Sequence, residues 1–210
     1  MELQIAVAKV PKAGIRESGD TLEMIERPHG GLSFVLVDGQ HTGRGAKSVA
    51  HLVARKVIAL LAEGVRDGAA ARAAHDYLYT HHDGKVSAEL QIVSIDLVSQ
   101  TIVISRKSHC PVIVGDAHGV RALDEPAERI GAHRRMKQVI AELPLEAQMA
   151  VVVFTDGVLD AGARAGQSFD VAAFVAEQLR DASISAAHLA DAVLERARDL
   201  DRGRDRKSVV

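Results

Sequence analysis

The sequence predicts a mixed α+β domain whose sheet is at least partly antiparallel. Apolar, β-branched runs of strand length alternate with longer stretches of helical periodicity. The runs at 87–97 and 101–105 are separated only by Val98-Ser99-Gln100, a link that suits a hairpin and is too short for a parallel crossover. No internal repeat, low-complexity tract or linker divides the 210 residues, and residues 1–210 are read as one domain.

Residues 3–8 (LQIAVA) predict a first strand, broken by Pro11 and Gly14. A short strand follows at 21–26. The turn Arg27-Pro28-His29-Gly30-Gly31 leads into 32–37 (LSFVLV), a glycine-bounded run that reads as a buried strand and ends at Asp38-Gly39. From about 46 to 63, Val49, Leu52, Val53, Val57, Leu60 and Leu61 recur at spacings of three and four, predicting an amphipathic helix closed by Gly64. A second helix is expected over 69–80, and Asp83-Gly84 returns the chain to extended structure. Strands are expected at 87–97, 101–105 and 112–114. Residues 124–143 read as polar and irregular, with some helix. Pro144 and Glu146 precede a buried strand at 150–155 (AVVVFT), followed by Asp156-Gly157. Helices are expected at 168–180 and 185–200, with Ser183 or Ser185 as N-cap of the latter. Residues 208–210 begin a last strand.

Hydrophobic residues make up 47% and aromatics only 3%, without tryptophan, so the core must be built from Val, Leu, Ile and Ala. The net charge of -2 lacks the basic excess of a nucleic-acid binder. Local basic runs, Arg134-Arg135 with Lys137 and again from Arg196 to Lys207, read as solvated helix ends. Cys110 is the only cysteine and reads as a buried apolar residue. The N-terminus has no basic stretch followed by an apolar run, and no segment reaches the ~20 apolar residues of a membrane helix. The expectation is a cytoplasmic protein with no membrane anchor and no appended sensor domain.

Two apolar runs each deliver an aspartate and a glycine at their C-terminal ends, at Asp38-Gly39 and Asp156-Gly157. A strand end holds its side chain in a mouth beside the sheet, and glycine lets backbone or an ion come close. Asp-Gly is also a common turn dipeptide. Asp20, before the second strand, and Asp205, before Ser208-Val209-Val210, are further candidates. Such a set is all oxygen, with no thiolate and no required histidine, which suits magnesium or manganese rather than zinc. Four carboxylates in one cluster would not all stay ionised without cations.

These residues, in this order, resemble the metal-dependent (type 2C) serine/threonine protein phosphatases, and most of all their bacterial SpoIIE-like branch. The resemblance rests on Gly19-Asp20, Val37-Asp38-Gly39 with Gly43, Gly45 and Ala46 behind it, Phe154-Thr155-Asp156-Gly157, and Asp205 before Ser208-Val209-Val210, and it runs from about residue 3 to the end. It implies an α-β-β-α sandwich of two mainly antiparallel sheets, helices 46–63 and 69–80 covering one and 168–180 and 185–200 the other. It implies Asp38 bridging two ions with the Gly39 carbonyl, Asp156 and Asp205 holding one ion, and Asp20 the other, directly or through water. Asp38 and Asp156 become the central catalytic residues, and Mn2+ or Mg2+, two or more ions, the cofactor. The implied reaction is hydrolysis of phosphoserine or phosphothreonine by a metal-activated water. The implied partner is a phosphorylated protein, and the finer expectation is one with a STAS domain.

Two departures bear on activity. Some relatives carry histidine directly after the bridging Asp-Gly; here Gln40 stands there and His41 follows, leaving His41, a metal-bound water or no group as proton donor. Arg206 and Lys207 follow Asp205 where many relatives have an acid or amide, and Asp199 and Asp201 offer another register. An inactive phosphatase-like module that binds a phosphoprotein is therefore the alternative. A receiver-like parallel α/β domain is a second; the hairpin at 98–100 and the isolated Asp20 argue against it. The glycine-rich segment 39–45 lacks the lysine and hydroxyl of a P-loop, and His81-His82 reads as a solvated loop.

Overall fold

The computed structural model describes residues 2–10, 18–28, 30–41 and 43–201, and the backbone of 207–209. In chain order the elements are β1 (Ala8–Val10), β2 (Asp20–Glu26), β3 (Leu32–Gly39), α1 (Arg44–Ala62), α2 (Asp67–His82), β4 (Ala88–Asp96), β5 (Thr101–Lys107), β6 (Val112–Asp116), β7 (Gly119–Leu123), β8 (Val139–Pro144), β9 (Ala150–Val152), α3 (Asp156–Leu159), α4 (Val171–Gln178), α5 (Ala186–Asp201) and β10 (Lys207–Val209). Two compact units result. One holds Gly19–His109 and Glu125–Leu145; the other holds Met1–Ser18, Cys110–Asp124 and Glu146–Val210.

The first unit is a five-stranded sheet in the order β2-β3-β4-β5-β8 with α1 and α2 against it. Each pairing is antiparallel, which removes the receiver-like alternative. Val35 and Val37 of β3 and Leu90 and Ile92 of β4 share a buried cluster with Ala50, Val53, Ala54, Val57 and Leu61 of α1 and Ala70, Ala71, Ala74 and Leu78 of α2. Each larger side chain buried there is worth about 1.5–3 kcal/mol. The helix face that periodicity picks out is rotated slightly: Val49, Leu52 and Leu60 pack only partly buried, and Ala50 and Ala54 are fully buried instead. Small residues at the contact let the helix lie close to the sheet. The β4–β5 turn is held by Asp96, whose Oδ1 accepts from the Val98 and Ser99 amides at 2.8 and 3.1 Å.

β8 falls inside the stretch that the sequence predicts to be irregular. It pairs with β5 from Thr101↔Pro144 to Arg106↔Val139. An edge strand needs to bury little, and Ile140 is exposed; Pro144 is tolerated because it stands at the end of an edge strand.

The second unit has a three-stranded antiparallel sheet, β7-β6-β9, and a two-stranded pair, β1-β10. α4 packs on β6 and β7, and α5 on β1 and β10. Ile113, Val152, Phe154, Val158, Val175, Val193, Leu194 and Ala197 form its core with Cys110, which is buried as expected. β7 has no counterpart among the strands expected from sequence. It closes a hairpin with β6 at Asp116↔Gly119, where Gly119 has φ 119°, and its side chains are largely exposed. β1 begins later than predicted, and Leu3, Ile5 and Val7 are exposed. α4 is shorter than predicted because Asp170 caps it, accepting from the Ala173 amide at 2.9 Å. Ser185 caps α5, its Oγ accepting from the His188 amide at 3.2 Å. Among the described residues no helix is long and apolar enough to cross a membrane.

One buried charge in the first unit carries a stability cost. Lys107 is fully buried, and its Nζ has no hydrogen-bond partner among the described residues. Burial pushes its ammonium down to about 8; Glu128 opposes the shift, and Arg72 and Lys137 add to it. Nearby His75 is also buried and held neutral chiefly by desolvation, its Nδ1 accepting the Gly131 amide at 3.1 Å. The folded-state value of Lys107 lies below the unfolded one of about 10.4. Both states are protonated below pH ~8, where the full cost is present, and stability rises with pH from about 8 to 10.5. Lys107→Met is expected to raise stability at pH 7 by about 2 kcal/mol and to flatten that rise, as measured by urea unfolding at pH 7, 8 and 9.

Candidate active site

In the antiparallel pair β2–β3, Asp20 lies directly opposite Asp38, and in β3–β4, Asp38 lies directly opposite Glu89. Residues directly opposite share a sheet face, with Cβ atoms about 4.5–5.5 Å apart. Three acids therefore form a row across three strands. Their relative exposures are 0% for Asp20, 6% for Asp38 and 5% for Glu89. Isolated ionised carboxylates do not persist at such burial, so each must be compensated.

Glu89 is compensated by the protein. Ser108 Oγ donates to its Oε2 at 2.6 Å, and Arg129 Nε donates to Oε1 at 2.7 Å. His109 Nδ1 meets the same Oε1. Gln91, next along the same face of β4, donates from Nε2 to Ser108 Oγ at 3.3 Å. Sequence reasoning missed Glu89. The available signal was an acid between Ala88 and Leu90, inside the segment expected to be a strand.

The start of α1 and the loop after β3 are each tied to a neighbouring segment. Lys47 of α1 donates to the Asp20 carbonyl at 2.8 Å and to Thr21 Oγ1 at 3.2 Å, tying the helix to the first residue of β2. Gln40 exchanges two bonds with Ser87: its amide donates to the Ser87 carbonyl at 3.2 Å, and its Oε1 accepts the Ser87 amide at 2.9 Å. Gln40 is thus a brace between the loop and the start of β4. His41 follows at φ 71°, exposed to solvent. Gly39 is required for packing, since a Cβ there would stand 2.0 Å from the Ala46 carbonyl oxygen.

Asp156 belongs to the second unit. The sequence places it at the end of a strand over 150–155; β9 in fact stops at Val152, and Asp156 opens the short helix α3. The turn closes through the Val158 amide on the Thr155 carbonyl at 2.9 Å and the Asp160 amide on the Asp156 carbonyl at 2.8 Å. An acid in a first helical turn suits the positive end of the helix. α3 contacts β10, the strand that begins two residues after Asp205. Asp205 itself, with Arg206, lies outside the described residues. Asp201, the other register considered, accepts the Gly162 amide at 2.7 Å. His81 and His82 form the last turn of α2 instead of a loop, His81 stacked on Tyr77.

A family model for stage II sporulation protein E matches residues 28–210. The chain belongs to the SpoIIE family. Among solved structures, this SpoIIE-family chain is similar to the PP2C phosphatase domain with a fragment of the regulatory domain of SpoIIE from Bacillus subtilis, with a TM-score of 0.80 and 18% identity over 97% of this chain and 60% of that one. It thus spans less than two thirds of that relative. It is also similar to the Mycobacterium tuberculosis serine/threonine phosphatase PstP, with TM-score 0.73 and 13% identity over 97% of this chain and 95% of that one. RsbX in complex with magnesium gives the same TM-score and identity, 0.73 and 13%, over 97% and 90% of the two chains. Among curated proteins none matches in sequence. At these identities the likeness establishes the fold: two antiparallel sheets with helices against each, as in the PP2C phosphatases.

Proposed function

We propose that this SpoIIE-family chain is a metal-dependent protein phosphatase that hydrolyses phosphoserine or phosphothreonine on a partner protein. The finer reading is a STAS-domain substrate in a bacterial signalling pathway, met in the cytoplasm, with residues 1–210 acting as one catalytic domain. The observation that carries the proposal is the direct pairing of Asp20 with Asp38 beside the Gly39 loop.

The donor set fits a hard divalent cation. Asp20 and Asp38 are buried neighbours of like charge, which a cation between them would reconcile, and all-oxygen ligands suit Mg2+ or Mn2+. Asp38, Asp20 and the Gly39 carbonyl are assigned as ligands. The same reading assigns Asp156, central to catalysis with Asp38, and Asp205. The magnesium in the RsbX structure supports this class of ion. Bound divalent ions supply a water deprotonated at neutral pH and neutralise charge on phosphoryl oxygens.

The chain's own residues position this chemistry. The β2–β3 register holds the two carboxyls side by side. Lys47 anchors the Asp20 backbone and so fixes where that carboxyl projects. Gln40 and Ser87 keep the loop after Gly39 from moving away from β4. Preorganisation of this kind is what lets electrostatic stabilisation act without reorganisation cost.

The test is hydrolysis of p-nitrophenyl phosphate and of a phosphorylated STAS protein with and without manganese. Turnover is expected only with metal, falling to background in excess EDTA and returning when manganese is restored. Turnover that survives chelation removes the metal-dependent reading. Binding of the phosphoprotein without turnover in any metal supports the inactive module, which the Asp205-Arg206-Lys207 sequence would then explain.

A further inference from the structure

We infer that Arg129, held by Glu89, is the residue that grips the phosphoryl group of the substrate. This rests on the phosphatase reading and adds to it the recognition of the substrate's anion.

Two constraints place Arg129. The next residue, Ile130, is buried and forms a backbone bridge with Ala88, exchanging bonds at 2.9 and 3.1 Å. That bridge sets Arg129 beside Glu89. The guanidinium then engages Glu89 Oε1 through Nε at 2.7 Å. Contact through Nε leaves the two terminal amino groups outside that bond. The Arg129 side chain is 44% exposed, whereas that of Glu89 is 6% exposed. One end of the pair is fixed in the sheet, and the other reaches solvent.

Electrostatics gives the arrangement its purpose. A phosphomonoester is a dianion. Divalent ions on Asp20 and Asp38 would offset the charge of those acids but carry no directional N–H donors for the phosphoryl oxygens, and a side chain at the edge of the row can supply them. Lys47 is committed to the Asp20 carbonyl and Thr21. Arg129 lies at the Glu89 end of the row, next to the strand position that faces Asp38. A guanidinium offers paired N–H groups that match phosphate oxygens, which an ammonium does not. Glu89 is the positioning residue: Ser108 on its other oxygen, itself met by Gln91, keeps the carboxylate from turning.

If Arg129 served only to neutralise Glu89, lysine would replace it. The experiment therefore compares wild type, Arg129→Lys and Arg129→Met with p-nitrophenyl phosphate at saturating manganese, and inorganic phosphate as competing inhibitor. Both variants are expected to raise KM and the phosphate inhibition constant about tenfold or more, with kcat changed only a few-fold. Unchanged constants in both variants, or full rescue by lysine, overturn the inference and leave the phosphatase reading standing. A wild type with no metal-dependent turnover overturns the phosphatase reading. In that case phosphate binding is read from the rise in melting temperature with added phosphate. A rise in wild type that Arg129→Lys abolishes sustains the grip, and an equal rise in both refutes it. Should Arg129→Met fail to fold, Arg129→Lys carries the comparison alone.

Discussion

Asp38→Asn is expected to lower metal-dependent hydrolysis by about a thousandfold or more while leaving the fold intact. Asp38 is the middle acid of the row, with Asp20 opposite it on β2 and Glu89 opposite it on β4. Asparagine has nearly the same shape but removes one charge from between two like charges. The metal-free variant should therefore melt at the wild-type temperature or above it, since like charges directly opposite are destabilising. Manganese should raise the melting temperature of wild type, because a ligand bound only by the folded state stabilises it. That rise should vanish in Asp38→Asn. Paired manganese titrations by thermal melting and by rate separate loss of metal from loss of fold. A variant that keeps both the manganese-induced rise and the rate would remove Asp38 from the metal site.

Gly39→Ala is expected to cost on the order of 3 kcal/mol or more, enough to abolish activity through misplacement or unfolding. The added Cβ would stand 2.0 Å from the Ala46 carbonyl oxygen and 2.7 Å from its carbonyl carbon. Both are backbone atoms in the first turns of α1, so relief requires moving the helix whose Ala50, Val53 and Val57 are buried in the core. Gly45→Ala is the control. It lies in the same helix, and a methyl group added there would have nothing within 4 Å. Alanine at that position should be neutral or stabilising by up to about 1 kcal/mol. Urea unfolding should show a large loss of stability for Gly39→Ala and none for Gly45→Ala. A Gly39→Ala protein as stable as wild type would show that the approach of α1 is not tight.

Much of this architecture can be read from local pattern. The amphipathic helix α1, the buried run of β3 and the hairpin joining β4 to β5 all rest on spacings within a few residues, and each stands within a few residues of where periodicity puts it. β7 and β8 escape that reading because they bury little: an edge strand is specified by the backbone of its neighbour, and periodicity carries no trace of that. The end of β9 escapes it because an apolar run cannot say where it stops being strand; the turn at Thr155 does that.

The site divides along the same line. Asp38-Gly39 and Asp156-Gly157 can be picked out because an acid and a glycine after an apolar run are a local signal. The resemblance to a phosphatase family comes from the order of such signals along the chain. That Asp20 stands opposite Asp38, that Glu89 completes the row, and that Arg129 is drawn to it cannot be read that way. These depend on the register between strands tens of residues apart, which is set by how whole strands bury one face and which a shift of one residue would reverse. Gly39 shows the difference most clearly: its position follows from the chain, but its necessity follows from a helix that folds back against it.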